Sequence, residues 1–202
     1  MRYPLLIMAL SAPGTWTFDK DEVGRAPAGF EFATTAKTPA GKWVVVKDGE
    51  RQVLAQQDAG GADARFAMAV VKDSSFKDLR LSVKGKPVAG KVDQAVGLVW
   101  RYQDPDNYYV ARSNALEGNV RLYKVVNAKR IMFGTKEDLK IETGAWQSLQ
   151  VEQRGKSIKV SLNDEALFEA ADETFAAAGK VGVWIKADSV THFDDLTAEE
   201  LK

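Results

Sequence analysis

Arginine and asparagine side chains recur at alternate positions between residues 107 and 125, where they could bind a hydroxyl-rich or anionic ligand. Guanidinium and amide groups hold their hydrogen-bonding atoms in a fixed plane, which suits hydroxyls and carboxylates. Aromatic rings between them would pack against the apolar face of a sugar. The residues in phase on "NYYVARSN" and "NVRLYKV" are Tyr108, Arg112, Asn114, Asn119, Arg121 and Tyr123.

Two further segments extend this set, "QAVGLVWRY" from Gln94 and "VGVWIKAD" from Val181. Successive side chains of a strand point to opposite sides, so antiparallel neighbours would bring the polar sets onto one face. The alternative is a solvated face whose arginines pair with carboxylates on neighbouring strands. Glu117 and Asp188 are the only near acidic partners, which favours binding. The predicted ligand-binding residues are Arg101, Tyr108, Arg112, Asn114, Asn119, Arg121, Tyr123, Trp184 and Lys186.

Candidate catalytic groups are scattered along the chain. A retaining glycosidase needs two carboxyl groups about 5 Å apart, and no spacing in the sequence places such a pair. Glu117 lies beside the arginines, Asp188 and Asp194 (or its neighbour Asp195) are carried by loops or strand ends, and His192 is the single histidine. Aspartates at strand ends are common turn formers, and a lone histidine is more often a surface residue. No G-x-S-x-G nucleophile motif occurs.

A cation site is suggested only by "DPDN", in which Asp104, Asp106 and Asn107 offer oxygen ligands of the kind that calcium takes. The segment lacks the glycine and the distal glutamate of a full calcium loop, so an Asp-Pro turn is the favoured interpretation. The sequence requires no cofactor, and calcium is the one metal that it accommodates.

The elements that must carry these residues are short strands with period-two hydrophobicity, separated by Gly, Asp, Asn and Lys. Twelve such strands are predicted between Phe30 and Lys186, with no long amphipathic helix between them. This pattern predicts an all-β, two-sheet antiparallel jelly-roll sandwich. One two-turn connector helix is predicted in "DETFAAAG" from Asp172, and "TAEELK" at the end is predicted to form a fraying turn.

Composition bounds the class of protein. Among 202 residues, 28 Lys and Arg balance 28 Asp and Glu, so no net field favours nucleic acid or an anionic membrane. Cysteine is absent, which excludes disulfides and thiolate chemistry. Residues 1–12 are predicted to be either a signal-like segment or a loose start, and residues 13–202 a single jelly-roll domain. No segment is long enough to span a bilayer, and a soluble, secreted or periplasmic protein is predicted.

Three segments carry a family resemblance: "GLVWRYQDPDNYYVARSNALEGNVRLYKV", "WQSLQVEQRGKSIKVSLN" and "GKVGVWIKADSVTHFDDL". They resemble the bacterial concanavalin A-like (laminin G-like) jelly-roll domains, and are most similar to those grouped with the 3-keto-disaccharide hydrolase domains. The resemblance runs from Trp16 to Leu196 and implies two curved sheets with a concave face for carbohydrate, often in secreted proteins. Jelly-roll glucanases carry an E-x-D-x-x-E motif, which this chain lacks.

Three functions remain open on the sequence. The leading hypothesis is a carbohydrate-binding module that holds a polyhydroxy or acidic glycan on the concave face. The second is a glycoside-cleaving enzyme of the 3-keto-disaccharide hydrolase type, in which arginine and lysine stabilise negative charge and a carboxylate or His192 moves the proton. The third is a structural or protein-interaction domain without a small ligand.

Overall fold

The computed structural model describes residues 13–60 and 63–202, which form fifteen β-strands and one short 3-10 turn at Thr35–Lys37. The predicted signal-like segment, residues 1–12, lies outside the described residues. The strands build two antiparallel sheets, which confirms the predicted all-β jelly-roll sandwich. The described part of the chain contains no helix with the length and hydropathy needed to cross a bilayer.

The first sheet has the strand order β13-β12-β11-β6-β15-β4-β3, and β1 pairs with β15 outside this path. Its strands are β1 (Gly14–Trp16), β3 (Trp43–Asp48), β4 (Arg51–Gln56), β6 (Leu79–Ala89), β11 (Gln147–Arg154), β12 (Ser157–Leu162), β13 (Glu165–Ala171) and β15 (Val190–Glu200).

The second sheet has the order β10-β9-β8-β7-β14-β5-β2. Its strands are β2 (Phe30–Thr34), β5 (Phe66–Val71), β7 (Ala95–Asp104), β8 (Asn107–Asn114), β9 (Asn119–Val126), β10 (Lys129–Lys136) and β14 (Lys180–Lys186).

The main core fills the space between the two sheets. Along β7, the side chains of Val96, Leu98 and Trp100 point inward and are fully buried, because alternate residues of a strand share a face. The Trp100 indole N–H would be costly to bury without a partner, and it donates to the side-chain oxygen of Gln153 on β11 at 2.6 Å. This bond joins the two sheets through the middle of the core.

The second sheet also carries apolar residues on its outer face, away from the main core. There Met68, Val99, Val110 and Trp184 form a second buried cluster with other side chains of β5, β7, β8, β9 and β14. Strands buried on both faces lose the simple apolar–polar alternation of a solvated sheet. The polar residues predicted from the sequence, with the exception of Arg101, occupy one end of this outer face.

The outer face of the first sheet is different, because charged side chains pair across its strands. Arg80 on β6 bonds to Glu152 at 2.8 Å and to Glu199 at 3.1 Å, and Lys84 bonds to Asp195 at 2.8 Å. Such exposed pairs contribute little to stability, so this face is an ordinary solvated one.

Three strands were not predicted: β1, β10 and the central strand β15. The predicted fraying turn at "TAEELK" is wrong, because β15 continues to Glu200 and pairs with β6. Its register with β6 shifts between Asp194 and Thr197, so Phe193 and Leu196 both point into the core although they are three residues apart. That bulge breaks the period-two pattern by which strands are detected.

The predicted connector helix from Asp172 is also wrong, since residues 172–179 contain no helix. The Asp172 carboxylate does accept the backbone N–H of Thr174 at 2.8 Å, as a helix cap would, but it also accepts the Tyr109 hydroxyl at 2.6 Å and a hydrogen bond from Lys124. Phe175 packs edge-on against the Tyr109 ring at 5.0 Å. Contacts with the second sheet therefore hold this segment in an irregular, extended path.

Arg101 does not lie on the outer face with the other predicted site residues. It has a positive φ of 43° at a register shift in β7, so the alternation of the strand breaks there. Its side chain is fully buried and donates to the backbone carbonyls of Lys77, Phe175 and Gly155 and to the Asp78 carboxylate. Arg101 thus joins three loops at one end of the sandwich.

Substitution of Arg101 should destabilise the fold. Arg101→Ala removes a buried guanidinium that bonds three loop carbonyls and the Asp78 carboxylate, and we expect the free energy of unfolding to fall by about 3 kcal/mol. Arg80→Ala, which removes an exposed pair, should cost less than about 1 kcal/mol. Urea unfolding of both variants checks this, and equal effects would contradict the structural role given to Arg101.

Asp172 should make stability pH-dependent in acid. Burial works to raise its pKa, but hydrogen bonds from Lys124, Tyr109 and Thr174 outweigh burial and lower the pKa from 3.8 to about 2. Because the folded state holds the ionised form, this stabilisation is present above about pH 4 and disappears as the pH falls through 2. When the pH is lowered from 5 to 2.5, the free energy of unfolding should therefore fall less for Asp172→Asn than for the wild type. Urea unfolding at each pH measures both. The exposed neighbour variant Glu173→Gln should follow the wild type.

Candidate functional site

One row of directly opposed residues crosses four strands of the second sheet. Trp184 on β14 faces Gly97 on β7, Gly97 faces Arg112 on β8, and Arg112 faces Arg121 on β9. The next row, at the turn between β8 and β9, pairs Asn114 with Asn119. Antiparallel pairing therefore brings together the polar residues that alternation had predicted to share a face. We call the group at this end of the outer face the polar site, and its members are Asp93, Arg112, Asn114, Glu117, Asn119, Arg121, Glu137 and Lys186.

Gly97 gives the Trp184 side chain its place in this row. A Cβ atom at Gly97 would lie 2.9 Å from Cε3 of the indole and 2.8 Å from the Trp184 carbonyl oxygen. Since real Cβ atoms do not approach so closely, only glycine lets β14 and its indole pack against β7 here. The close packing of Trp184 on Gly97 borders Arg112.

Arg112 is the buried centre of the polar site, with a side chain that is 1% exposed. Its Nη1 donates to the Asn119 amide oxygen at 2.7 Å, and its Nη2 donates to Glu117 at 2.8 Å and to the Tyr123 hydroxyl at 3.4 Å. Its Nε is buried and has no hydrogen-bond partner. Burial works to raise the pKa of Glu117, but Arg112, Asn119 and Arg121 outweigh it and lower that pKa. Glu117 is therefore an ionised partner and a poor proton donor.

Arg121 and Glu137 form the more exposed edge of the polar site. The Arg121 guanidinium pairs with Glu117 at 2.9 Å and with Glu137 at 3.2 Å. The Asn119 amide donates to both of these carboxylates, at 3.1 and 2.9 Å. The side chains of Arg121, Glu117 and Glu137 are 29%, 32% and 45% exposed, so a ligand can reach them from solvent.

Asp93, in the loop before β7, ties the site to β14. Its carboxylate pairs with Lys186 and accepts the Asn114 amide N–H at 2.7 Å. The Asn114 amide oxygen in turn accepts the backbone N–H groups of Leu116 and Glu117, at 2.9 and 3.3 Å. Burial raises the pKa of Asp93 despite the lysine beside it. The Asn114 amide therefore holds the turn that carries Glu117, and both of its polar atoms are used in doing so.

Asp188 holds the loop on which Asp93 lies. Its carboxylate accepts the backbone N–H groups of Lys91 at 2.7 Å, of Val92 at 3.1 Å and of Asp93 at 3.0 Å. Burial works to raise the pKa of Asp188, but these hydrogen bonds outweigh it and lower the pKa. A carboxylate that accepts three backbone donors is occupied in holding the chain and is not available as an acid–base group.

Tyr108 and Trp184 form the floor of the outer face rather than its surface, because both are fully buried. The Trp184 indole N–H donates to the Tyr108 hydroxyl at 3.2 Å, and that hydroxyl also bonds to Thr35 at 2.7 Å. Burial raises the pKa of Tyr108 to about 12. Trp184 stacks on Phe66, with ring centroids 5.4 Å apart. In this arrangement neither ring presents a free face to a sugar.

The four predicted catalytic candidates do not share one site. His192 and Asp194 flank the core residue Phe193 on β15, so they point to the outer face of the first sheet. There His192 contacts Asp48 at 3.1 Å and Asp194 accepts a hydrogen bond from Arg51 at 2.8 Å. Burial raises the pKa of Asp194. Glu117 and Asp188, in contrast, belong to the polar site and its supporting loop, on the other sheet.

The candidate calcium ligands are used by their own turn. Asp104 accepts the backbone N–H of Asp106 and the Asn107 amide, at 2.8 and 2.9 Å, and Asp106 accepts the backbone N–H of Ala36 at 2.8 Å. Within residues 13–60 and 63–202 no group of three or more His, Asp or Glu side chains is arranged to hold a metal ion. These contacts match the Asp-Pro turn that the sequence favoured, and no metal site is proposed there.

Four residues that contact the predicted site residues were not predicted from the sequence: Phe66, Asp93, Arg130 and Glu137. Asp93 is in a loop and Glu137 directly follows the unpredicted strand β10, so neither had a strand phase from which its direction could be inferred. Arg130 lies on β10 itself, and its guanidinium carbon is 4.4 Å from the centre of the Tyr123 ring and 4.7 Å from that of Phe66. The shortage of acidic partners inferred from sequence is thus partly made up by Asp93 and Glu137.

No family model and no curated protein sequence matches this chain. Several solved structures, in contrast, are similar to it. The carbohydrate-binding module CBM66 from Bacillus subtilis aligns with a TM-score of 0.67 and 21% identity, over 84% of this chain and 95% of that one. Lectin II from Ulex europaeus aligns with a TM-score of 0.65 and 12% identity, over 96% and 100%.

A third similar structure is domain 4 of AbnA, a GH43 extracellular arabinanase from Geobacillus stearothermophilus, in complex with arabinotriose. It aligns with a TM-score of 0.59 and 16% identity, over 95% of this chain and 92% of that one. Identities this low establish the fold and not the activity. The likeness to 3-keto-disaccharide hydrolase domains stays a resemblance, and what the comparisons establish is that this chain has the concanavalin A-like jelly-roll fold shared by lectins and carbohydrate-binding modules.

Proposed function

We propose that this protein is a carbohydrate-binding module whose glycan ligand binds at the polar site of the second sheet. The observation that carries the proposal is the convergence of two arginines, two carboxylates and an asparagine amide at one solvent-accessible sheet end, namely Arg112, Arg121, Glu117, Glu137 and Asn119. Sugar hydroxyls both donate and accept hydrogen bonds, and this group offers fixed donors beside fixed acceptors.

Preorganisation supports this proposal. The side chains at the exposed edge are already held by hydrogen bonds to Arg112 and Asn119, which are themselves buried. A ligand would therefore order few additional side chains, and that lowers the entropic cost of binding. The similar structures support the same function, since two of them are named as a carbohydrate-binding module and a lectin.

Glycoside cleavage is not better supported than binding. The acid–base candidates are divided between two sheets, and the pKa of Glu117, the one at the polar site, is lowered by its arginine partners. A general acid needs a raised pKa in reach of the leaving oxygen. Asp93 has a raised pKa, but it is fully buried and bonded to Asn114 and Lys186.

Arg121→Ala should weaken glycan binding without unfolding the protein. The variant removes an exposed charge-assisted donor, and we expect a loss of affinity of about 10- to 100-fold for a glycan found by thermal-shift screening of neutral and acidic oligosaccharides. Titration calorimetry of that glycan measures the change. The matched control is Arg80→Ala, also a partly exposed arginine with two carboxylate partners, but on the first sheet.

The affinity of Arg80→Ala for the glycan should stay within about twofold of the wild-type value, because Arg80 lies on the first sheet, away from the polar site. If no oligosaccharide in the screen binds the folded protein, or if both variants lose affinity equally, the polar site is not a glycan site.

Binding without turnover is the second expectation. The purified protein, incubated for hours with ordinary, acidic and 3-keto glycosides in the presence of calcium, should yield no new masses, because the pKa values of Glu117 and Glu137, the carboxylates exposed at the polar site, are both lowered. New products would make the protein an enzyme. Glu117→Gln, Asp188→Asn, His192→Gln and Asp194→Asn would then identify the acid–base group.

A further inference from the structure

Arg130 is a cation of the outer face that lacks a carboxylate partner. It lies on β10, opposite Val125 of β9, and its guanidinium extends between the rings of Tyr123 and Phe66. Cation–π contacts of 4.4 and 4.7 Å stabilise it there. Its Nη1 is buried and has no hydrogen-bond partner, and no carboxylate of the described residues lies within 4.0 Å of the guanidinium.

The pairing of cations with carboxylates at the polar site leaves Arg130 over. The polar site and Arg130 together contribute the cations Arg112, Arg121, Arg130 and Lys186, and the carboxylates Asp93, Glu117 and Glu137. Each of these carboxylates already pairs with one of the other cations, so one positive charge remains without a partner. Arginine stays protonated at all ordinary pH values, and hence it cannot relieve the imbalance by losing its proton.

A second unpaired donor lies close by. The Nε of Arg112 is also buried without a partner, and the Arg112 guanidinium carbon is 6.0 Å from the same Tyr123 ring that Arg130 covers. Leaving buried donors unpaired is unfavourable, and native proteins leave few of them. The Arg112 side chain is closed to solvent, whereas Arg130 is only partly buried, so an acceptor group from a ligand can reach the Arg130 guanidinium.

We infer that the polar site recognises an acidic glycan, with one sugar carboxylate accepting hydrogen bonds from the partly exposed Arg130 beside the Tyr123 ring. This inference rests on the proposed function and specifies its ligand. A carboxylate supplies the missing negative charge and two acceptor oxygens in the planar geometry that guanidinium groups match. The exposed side chains of Arg121, Glu117 and Glu137 then bind hydroxyls of the same or the next sugar.

The test compares an acidic oligosaccharide with a neutral one of the same size. The probes are trigalacturonate and its carboxyl-reduced galactose counterpart, titrated calorimetrically at fixed ionic strength, because surface electrostatics depends on salt. We expect the wild type to bind the acidic trisaccharide about 10- to 100-fold more tightly. Arg130→Gln should abolish this preference and leave the affinity for the neutral trisaccharide within about twofold.

Two controls separate recognition from folding. Lys129→Gln removes a charge from the adjacent exposed position of β10 and should keep the acidic preference. The melting temperature of unliganded Arg130→Gln should stay within about 4 °C of that of the wild type, because the substitution removes a charge that has no carboxylate partner together with its cation–π contacts to Tyr123 and Phe66. A large fall in that temperature would mean that Arg130 serves the fold, which overturns the inference.

The remaining outcomes are distinguishable. If both trisaccharides bind equally to the wild type, or if Arg130→Gln weakens both alike, the carboxylate inference fails and the glycan-binding function stands. If neither trisaccharide nor any other oligosaccharide binds, the proposed function fails and the inference fails with it.

Discussion

The Asp188 carboxylate is the contact on which the geometry of the polar site depends. By accepting three consecutive backbone N–H groups, it fixes the loop of residues 91–93 and hence the position of Asp93. Asp93 pairs with Lys186 and orients Asn114, which caps the turn that places Glu117 against Arg112. Each step in this series places a buried polar group where it satisfies the next one. Burying a polar group is costly unless it is hydrogen-bonded, so the whole series must form together.

The outer faces of the two sheets differ in composition. The outer face of the first sheet carries cross-strand ion pairs, such as Arg80 with Glu152, and needs no further partner. The outer face of the second sheet is apolar at its centre, where Met68, Val99 and Trp184 are buried, and strongly polar at one end. An apolar floor beside a charged group lowers the local dielectric and strengthens the hydrogen bonds made there. This contrast supports the choice of the second sheet for the proposed glycan site.

Alternation predicted correctly which residues of β8 and β9 share a face, because these strands are regular and their pairing is antiparallel throughout. It failed where regularity ends. At Arg101 a positive φ turns the side chain away from the face, and in β15 a shifted register hides a central strand from the period-two pattern. The irregular segment from Asp172 was mistaken for a helix, since its contacts with Tyr109 and Lys124 come from distant parts of the chain.

The sequence by itself determined the all-β class and the two-sheet sandwich. It also determined that Arg112, Asn114, Asn119 and Arg121 share one face, because side-chain direction in a regular strand follows from position alone. Only the tertiary structure decided how the charges are shared. Asp93 and Glu137 reach the arginines from a loop and from the end of an edge strand, while Arg130 reaches the outer face without a carboxylate partner. Which charges are neutralised depends on distances between side chains far apart in the chain, and such distances exist only once the sheets have formed.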